Sequence, residues 1–123
     1  MRMATVEITK ENLTETVENN GVVLLDFWAE WCAPCRMFGP VFERVSEKYH
    51  DAVFGKVNTE QQRELAAGFE ISSIPTLMAL RDGVIVFAQP GALREKEFVE
   101  VVEAVLALDM EEVREAIAAQ NAR

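Results

Sequence analysis

The chain has 123 residues, half of them hydrophobic, and a formal net charge of −9. This length and composition predict one domain with a sizeable core. The acidic excess argues against a nucleic-acid partner, because phosphate binding needs clustered Lys and Arg. No stretch approaches the roughly 18 apolar residues of a membrane span, and residues 1–7 lack the apolar core of a signal peptide. We therefore expect a cytoplasmic protein that does not associate with membranes.

The first part of the chain predicts a strand, a helix and a second strand. Residues 5–8 are β-rich and predict an edge strand. Thr9 can cap a helix over residues 10–20. Residues 22–28 are apolar except for Asp26. A continuous apolar run of this kind is typical of a strand that is buried on both faces of a sheet.

Asp26 is the single charge within this second strand. Burial raises the pKa of a carboxyl group because the charged form loses solvation. A raised pKa suits proton transfer near neutral pH. The alternative is a carboxylate at the strand end that reaches solvent. Since an isolated buried charge is costly to keep, we favour a functional role.

Both cysteines of the chain lie in Trp31-Cys32-Ala33-Pro34-Cys35, directly after this strand. Their spacing places them on one face at the start of a helix, where the sulfurs can bond. Pro34 fits the first helical turn. Cys32 would then lie at the helix N-terminus, where unpaired N–H groups and the helix dipole favour a nucleophilic thiolate. We expect Cys35 to be more buried and to resolve mixed disulfides, so the pattern predicts thiol–disulfide exchange.

Three other uses of the cysteine pair fit the sequence less well. A structural disulfide that closes so short a loop removes little chain entropy. A zinc site needs about four ligands, and beyond the two thiols the chain offers His50 and carboxylates. A c-type haem needs His after the second cysteine, whereas Arg36 follows it here. We therefore expect no metal and no bound cofactor.

The rest of the chain alternates between helices and strands. The first of these is a helix over 34–49, with Pro40 inside it and a buried side formed by Met37, Phe38, Val41, Phe42 and Val45. The segments predicted after it are a strand over 52–58, a helix over 60–67, strands over 76–80 and 84–88, and a helix over 94–108. Two strand–helix–strand passages imply parallel pairing, whereas Arg81-Asp82-Gly83 is typical of an antiparallel hairpin. We expect an α/β fold, with a mixed sheet of about five strands between helices on both faces.

An acidic extension, residues 109–123, follows this pattern. Asp109 with Glu112 resembles a capping box and predicts a short helix over residues 110–119. Such a helix has too few apolar positions to be stable alone, so we expect it to dock on this domain or on another chain. The expected division is a domain over 1–108 and a helical C-terminal extension.

Segment 26–35, with the sequence Asp-Phe-Trp-Ala-Glu-Trp-Cys-Ala-Pro-Cys, resembles the active site of the thioredoxin family. Further on, Ile74-Pro75-Thr76 and Gly91 stand where that family carries its cis-proline and a peptide-contacting glycine. A WCxPC motif with a downstream Ile-Pro-Thr is a specific combination.

The similarity covers about residues 5–108 and implies the thioredoxin fold. Two positions depart from the family pattern, since Ala33 replaces the usual Gly and Arg36 replaces the usual Lys. These changes bear on the redox potential and the choice of partners, not on the class of protein.

The resemblance implies roles for several residues around the cysteines. Asp26 would carry a proton for the buried cysteine, and Lys56 would tune its charge. The alternative for Lys56 is a solvated lysine on a strand face. A cis bond before Pro75 would present the Ile74 backbone to an extended peptide beside Cys32. The other residues expected to contact substrate are Trp31, Ala33, Pro34, Thr76, Gly91 and Ala92.

These features predict a thioredoxin-like reductase of protein disulfides that cycles between dithiol and disulfide through Cys32 and Cys35. The partners implied by the resemblance are disulfide-bearing protein substrates and thioredoxin reductase, an NADPH-dependent flavoprotein. Two alternatives remain open. An oxidase or isomerase of the same fold would differ in redox potential. A non-catalytic interaction module would show no insulin reduction that depends on Cys32.

Overall fold

A computed structural model describes residues 4–122. The elements in chain order are β1 (Thr5–Glu7), α1 (Leu13–Asn19), β2 (Val22–Trp28), α2 (Ala33–Ser46), β3 (Val53–Asn58), α3 (Arg63–Gly68), β4 (Thr76–Arg81), β5 (Val84–Pro90), α4 (Glu95–Leu106) and α5 (Met110–Asn121). Five strands form one sheet in the order β1-β3-β2-β4-β5. β3 pairs in parallel with β1 and β2, whereas β4 runs antiparallel to β2 and β5. The predicted α/β fold with a mixed sheet is confirmed.

Hydrophobic clusters cover both faces of the sheet. One cluster lies under α2 and α4, where the ring centroids of Phe42 and Phe98 are 5.5 Å apart. The other lies under α1 and α3, where the ring centroids of Phe27 and Phe69 are 5.6 Å apart. The predicted placement of helices on both faces is therefore confirmed. None of the helices within residues 4–122 has both the length and the apolar composition that a bilayer crossing requires.

β2 lies at the centre of the sheet and is buried on both faces, as its apolar run predicts. Leu24 belongs to the cluster under α2 and α4, whereas Leu25 and Phe27 belong to the cluster under α1 and α3. Because alternate residues of a strand share a face, Asp26 lies on the same face as Leu24. The one charged side chain of β2 thus points toward α2.

Two helices begin later than predicted, because side chains bind backbone N–H groups ahead of them. α1 begins at Leu13 and not at residue 10. Thr9 does not cap it; the backbone N–H of Thr9 instead donates to Oδ1 of Asn12 at 2.8 Å. α3 begins at Arg63 and not at residue 60. Oδ1 of Asn58 accepts the N–H groups two and three residues further on, at 3.0 and 3.3 Å, in a turn before the helix.

The buried face of α2 differs from the prediction at one residue. Phe38, Phe42 and Val45 are buried at helical spacing, as expected. Met37 was expected beside them, and this is wrong, because its exposed fraction is 72%. Met37 precedes Phe38 by one residue and so lies about 100° around the helix from it. α2 continues through Pro40 as one helix and ends three residues before the predicted limit, at residue 46.

The β4–β5 connection is the predicted hairpin. Its turn residues Asp82 and Gly83 have φ values of 52° and 80°, and positive φ at both positions is what a type I′ turn requires. β5 continues to Pro90. The strand therefore ends before Gly91, two residues later than predicted.

The C-terminal helix α5 is attached through its first turn. Oδ1 of Asp109 accepts the backbone N–H groups of Glu111 and Glu112 at 3.0 and 3.3 Å, so the predicted start is confirmed. Met110 has an exposed fraction of 6%, whereas Ile117 has one of 37%. Most of α5 is therefore exposed to solvent.

Arg81, at the end of β4, holds the C-terminus of α4 independently of α5. Its Nη1 donates to the carbonyl oxygens of Val105, Leu106 and Leu108, at 2.7, 3.1 and 3.3 Å. A charged donor at carbonyls that lack a helical partner stabilises a helix C-terminus.

Candidate active site

Cys32 and Cys35 lie where β2 leads into α2 and are joined in a disulfide, with Cα atoms 5.3 Å apart. Cys32 is the N-cap residue of α2, as predicted, and its backbone is still extended, with a φ of −92°. The backbone N–H of Cys35 donates to Sγ of Cys32 at 3.2 Å. In the reduced state, this N–H group and the positive end of the helix dipole would stabilise a thiolate on Cys32.

The two cysteines are buried to nearly the same extent. Cys32 has an exposed fraction of 4% and Cys35 one of 5%. The expectation that Cys35 is the more buried residue is therefore wrong. Both cysteines cluster with Ala29, and Trp28 and Ile74 pack against that cluster. The two cysteines differ instead in hydrogen bonding and position, because Cys32 is the N-cap residue of α2 and its sulfur accepts the backbone N–H of Cys35.

An exposed rim lies beside the disulfide. Trp31 has an exposed fraction of 67%, and Ala33 and Pro34 are exposed as well. Met37, with 72% exposed, lies one helical turn after Pro34. It was absent from the predicted site because its spacing was assigned to the core. Exposed Trp and Met side chains are of the kind that binds other proteins.

The loop before β4 forms the other side of the site. The Ile74–Pro75 peptide bond is cis, and the carbonyl oxygen of Ile74 lies 3.7 Å from Sγ of Cys32. The backbone N–H of Gly91 donates to the carbonyl oxygen of Pro75 at 2.8 Å. Gly91 has a φ of 107°, which favours glycine, and Ala92 after it is exposed. The fold thus brings the predicted Ile-Pro loop and the Gly-Ala pair together next to Cys32.

Thr76 lies behind this loop. Its exposed fraction is 7%, and its hydroxyl donates to the carbonyl oxygen of Ser73 at 2.6 Å. The side chain therefore fixes the shape of the loop from inside the protein.

Asp26 is a buried carboxylate with an exposed fraction of 1%. Within residues 4–122, neither carboxylate oxygen has a hydrogen-bond donor, and Nζ of Lys56 lies 3.6 Å from Oδ2. Burial raises the pKa of Asp26 to about 6, although the positive charge of Lys56 opposes the rise. The loss of solvation thus outweighs the attraction of the lysine.

Lys56 faces Asp26 because the two residues are register partners in the parallel pair of β2 and β3. Its side chain is 21% exposed, and its Nζ lies 5.3 Å from the centroid of the Trp28 ring, a distance at which a cation and an aromatic face attract. The expected proximity of Lys56 to the buried aspartate is therefore present.

Gly39 and Glu43 also border this site, and neither was among the residues predicted to form it. Both line a cleft of about 320 Å³ that reaches from Cys35 to Lys56. The signal was their spacing, since both follow Cys35 at intervals of four residues and so share its face of α2.

The site offers no grouping of metal ligands. Within the part of the chain that the structure describes, no three His, Cys, Asp or Glu side chains lie close enough to hold a metal ion. His50 lies in the exposed turn after α2.

Replacing Asp26 with Asn should stabilise the oxidised protein, and the effect should depend on pH. The pKa is raised from 3.8 to about 6 in the folded protein, so folded Asp26 holds its proton more tightly and stability falls as the pH rises between these values. Urea unfolding at pH 8 should give a gain of about 2–3 kcal/mol for Asp26→Asn.

At pH 4 the gain should nearly vanish. Asp51→Asn, at an exposed turn, serves as the matched control and should change stability little at either pH. If Asp26→Asn lowered the free energy of unfolding at pH 8, Asp26 would be a stabilising partner of Lys56 instead.

Comparison with known proteins agrees with this geometry. The family model described as Thioredoxin matches residues 4–104. A relative described as putative thioredoxin 2, from Streptomyces coelicolor, is 58% identical over 120 residues, which cover 98% of this chain and 90% of the relative. A thioredoxin from Chlorobaculum thiosulfatiphilum is 39% identical over 89 residues, covering 71% of this chain and 82% of the relative.

Solved structures show the same fold. A mutant thioredoxin from Halobacterium salinarum superposes with a TM-score of 0.80 at 29% identity, covering 89% of this chain and 97% of that one. Thioredoxin f from spinach chloroplast, in its short form, gives a TM-score of 0.77 at 26% identity, with 87% of this chain and 100% of that one covered. With its Cys-x-x-Cys pair at the start of α2, the chain belongs to the thioredoxin family, whose chemistry is dithiol/disulfide exchange.

Proposed function

We propose that this protein reduces disulfide bonds in protein substrates, with Cys32 as the attacking cysteine and Cys35 as the resolving one. The main support is the position of Cys32 at the N-cap of α2, where its sulfur accepts the backbone N–H of Cys35. That environment favours the thiolate, which is the nucleophile in thiol–disulfide exchange.

In the first step, the Cys32 thiolate attacks one sulfur of the substrate disulfide. A bond forms between Cys32 and that sulfur, the substrate S–S bond breaks, and the other substrate sulfur leaves as a thiolate that takes a proton from solvent. The product is a mixed disulfide between Cys32 and the substrate.

In the second step, Cys35 loses its proton to Asp26 and attacks Sγ of Cys32. The Cys32–Cys35 bond forms, the bond from Cys32 to the substrate breaks, and the second substrate sulfur leaves as a thiolate that takes a proton from solvent, so the substrate is fully reduced. The substrate has then gained two electrons from the cysteine pair. Asp26 suits this role because its pKa of about 6 lies near the working pH, and Lys56 tunes its charge from 3.6 Å away.

The substrate would bind as an extended peptide across the cysteines. The backbone of Ile74 and Pro75 would face it on one side, with the carbonyl oxygen of Ile74 3.7 Å from the Cys32 sulfur. The other residues proposed to form the groove are Trp31, Ala33, Pro34, Thr76, Gly91 and Ala92. Thr76 would act through the shape of the loop, because its side chain is buried.

A thioredoxin reductase, a flavoprotein that takes electrons from NADPH, would return the disulfide to the dithiol. This part of the proposal is supported by membership of the thioredoxin family. The cycle requires no cofactor on this chain because the cysteines themselves carry the electrons. It suits the cytoplasm, where thiols are kept reduced and cysteine pairs are more often catalytic than structural.

Substitution of each cysteine should separate the two roles. Cys35→Ser should accumulate covalent adducts with a disulfide substrate such as insulin, because Cys32 attacks and nothing resolves the product. Cys32→Ser should form few adducts and lose insulin reduction. Non-reducing mass spectrometry measures the adducts. Equal amounts of adduct with the two variants would contradict the assignment of Cys32 as the attacking cysteine and Cys35 as the resolving one.

The redox potential should lie in the reductase range. Ala33 and Pro34, between the cysteines, carry no charge and no side-chain donor, so only the helix N-terminus and backbone N–H groups stabilise the Cys32 thiolate. Strong oxidants of this fold stabilise that thiolate much further. We expect a potential of about −270 mV, against roughly −120 mV for a strong oxidant. Equilibration with glutathione followed by alkylation measures it. A value above roughly −180 mV would indicate an isomerase or oxidase.

We also propose that residues 109–123 are a separate extension that exchange does not require. Met110 is the buried residue among the described part of α5, and the contact of Arg114 with Asp82, at 3.9 Å, joins two exposed side chains. Truncation after Leu108 should therefore cost about 2 kcal/mol, the value of burying one Met side chain, and leave insulin reduction unchanged.

Met110→Ala in the full chain is the control for the truncation and should reproduce most of its loss of stability. A truncated protein that remains folded, as judged by circular dichroism, but no longer reduces insulin would contradict the division.

A further inference from the structure

Three residues of α2 form one stripe that faces β3. Cys35, Gly39 and Glu43 are spaced by four residues, which places them on the same side of the helix. All three line the cleft of about 320 Å³ that Lys56 also borders. The cleft therefore runs along α2 from the resolving cysteine to a half-buried glutamate.

The ammonium group of Lys56 lies between this cleft and Asp26. Asp26 is 1% exposed, whereas the side chain of Lys56 is 21% exposed. A Cβ atom added at Gly39 would lie 3.4 Å from Nζ of Lys56, so the ammonium lies within van der Waals reach of the α2 backbone at position 39. On its other side a second cleft, of about 310 Å³, is lined by Trp28, Glu43 and Lys56 together with β1 residues. Lys56 thus separates the buried carboxylate from two solvent-facing clefts.

Charged groups face Asp26 and Lys56 from each element around them. Lys56 on β3 pairs with Asp26 at 3.6 Å, its one ion pair within the described residues. Glu43 on α2 borders both clefts, and its negative charge raises the pKa of Asp26. The other charged residues at the clefts are Glu7 on β1, Glu30 before α2, and Arg36 on α2. Lys56 therefore pairs with one carboxylate, Asp26, and borders both clefts together with another, Glu43.

We propose that Glu43 is a positioning residue that draws the Lys56 ammonium outward when Asp26 is protonated and so opens Asp26 to the cleft. The proposal rests on the proposed role of Asp26 as proton acceptor for Cys35. The proton moves from the Cys35 sulfur to an Asp26 oxygen, and the electron pair left on sulfur forms the bond to Cys32 while the Cys32–substrate S–S bond breaks and the substrate sulfur leaves as a thiolate. Protonated Asp26 no longer attracts Lys56, whereas the Glu43 carboxylate still does. The proton then leaves Asp26 for solvent in the cleft.

Titration of Asp26 by carbon NMR in the oxidised protein tests this directly, without any substrate. Glu43→Gln should lower the measured pKa of Asp26 by about half a pH unit, because one negative charge is lost and Lys56 stays at Asp26. Glu47→Gln, one turn further along the chain and exposed, makes the same change in charge and should leave that pKa unchanged. Glu43→Asp keeps the charge and should hold it near the wild-type value.

The same substitution made in a Lys56→Met protein separates positioning from simple repulsion between carboxylates. If Glu43 acts through Lys56, Glu43→Gln should lower the pKa of Asp26 less than half as much in that background. An equal change in both backgrounds would mean that Glu43 acts by direct charge alone and would overturn the proposal. No change in the wild-type background would overturn it as well.

The proposed role of Asp26 fails by a different measurement. If Asp26→Asn did not slow the release of substrate from the mixed disulfide, Asp26 would not be the proton acceptor, whatever the titration of the Glu43 variants shows.

Discussion

Burial of β2 on both faces is the constraint on which the site depends. β2 lies between β3 and β4, and its side chains alternate between the cluster under α2 and α4 and the cluster under α1 and α3. This fixes three things at once. The carboxyl end of the strand leads through residues 29–31 to Cys32. Asp26 must point toward α2, the helix that Cys32 caps and that contains Cys35. Lys56, its register partner on β3, must lie beside it.

A carboxylate in this position affects stability and chemistry in opposite ways. Burial raises the pKa of Asp26 to about 6 even though Lys56 lies 3.6 Å away. A closer, fully hydrogen-bonded lysine would hold the carboxylate ionised and make it a poor proton acceptor for a thiol. With no donor on either oxygen within residues 4–122, ionised Asp26 destabilises the fold at neutral pH. The same burial raises its affinity for a proton, which suits the proposed role of Asp26 as proton acceptor.

Features that a few adjacent residues determine could be predicted from the sequence. Features that depend on which of several side chains binds a backbone group could not. The buried strand, the helix start at Cys32 and the hairpin at Asp82 each follow from a few adjacent residues. The late start of α1 does not, because Asn12 rather than Thr9 supplies the oxygen. The roles of Lys56 and the Ile74 loop came from the family resemblance, since strand register and a cis bond cannot be read from composition. The prediction that Met37 is buried was wrong because helical spacing does not decide whether a residue at the edge of the apolar face is buried or exposed.

The pair Gly39-Pro40 lies inside α2, although both residue types have low helix propensity, and Gly39 lies next to the Lys56 ammonium. Gly costs about 1 kcal/mol in a helix interior and Pro about 3, and Pro40 leaves the carbonyl of Arg36 without its helical donor. The core contacts of the same helix, around Phe42, offset part of this cost. Helix stability does not account for Gly39, and the structure gives it no positive φ. A Cβ at position 39 would lie 3.4 Å from Nζ of Lys56, an ordinary van der Waals distance from the flexible end of a side chain, so alanine would fit there as well. A longer side chain would reach the Lys56 ammonium, so the size of residue 39 bears on how close that positive charge lies to Asp26.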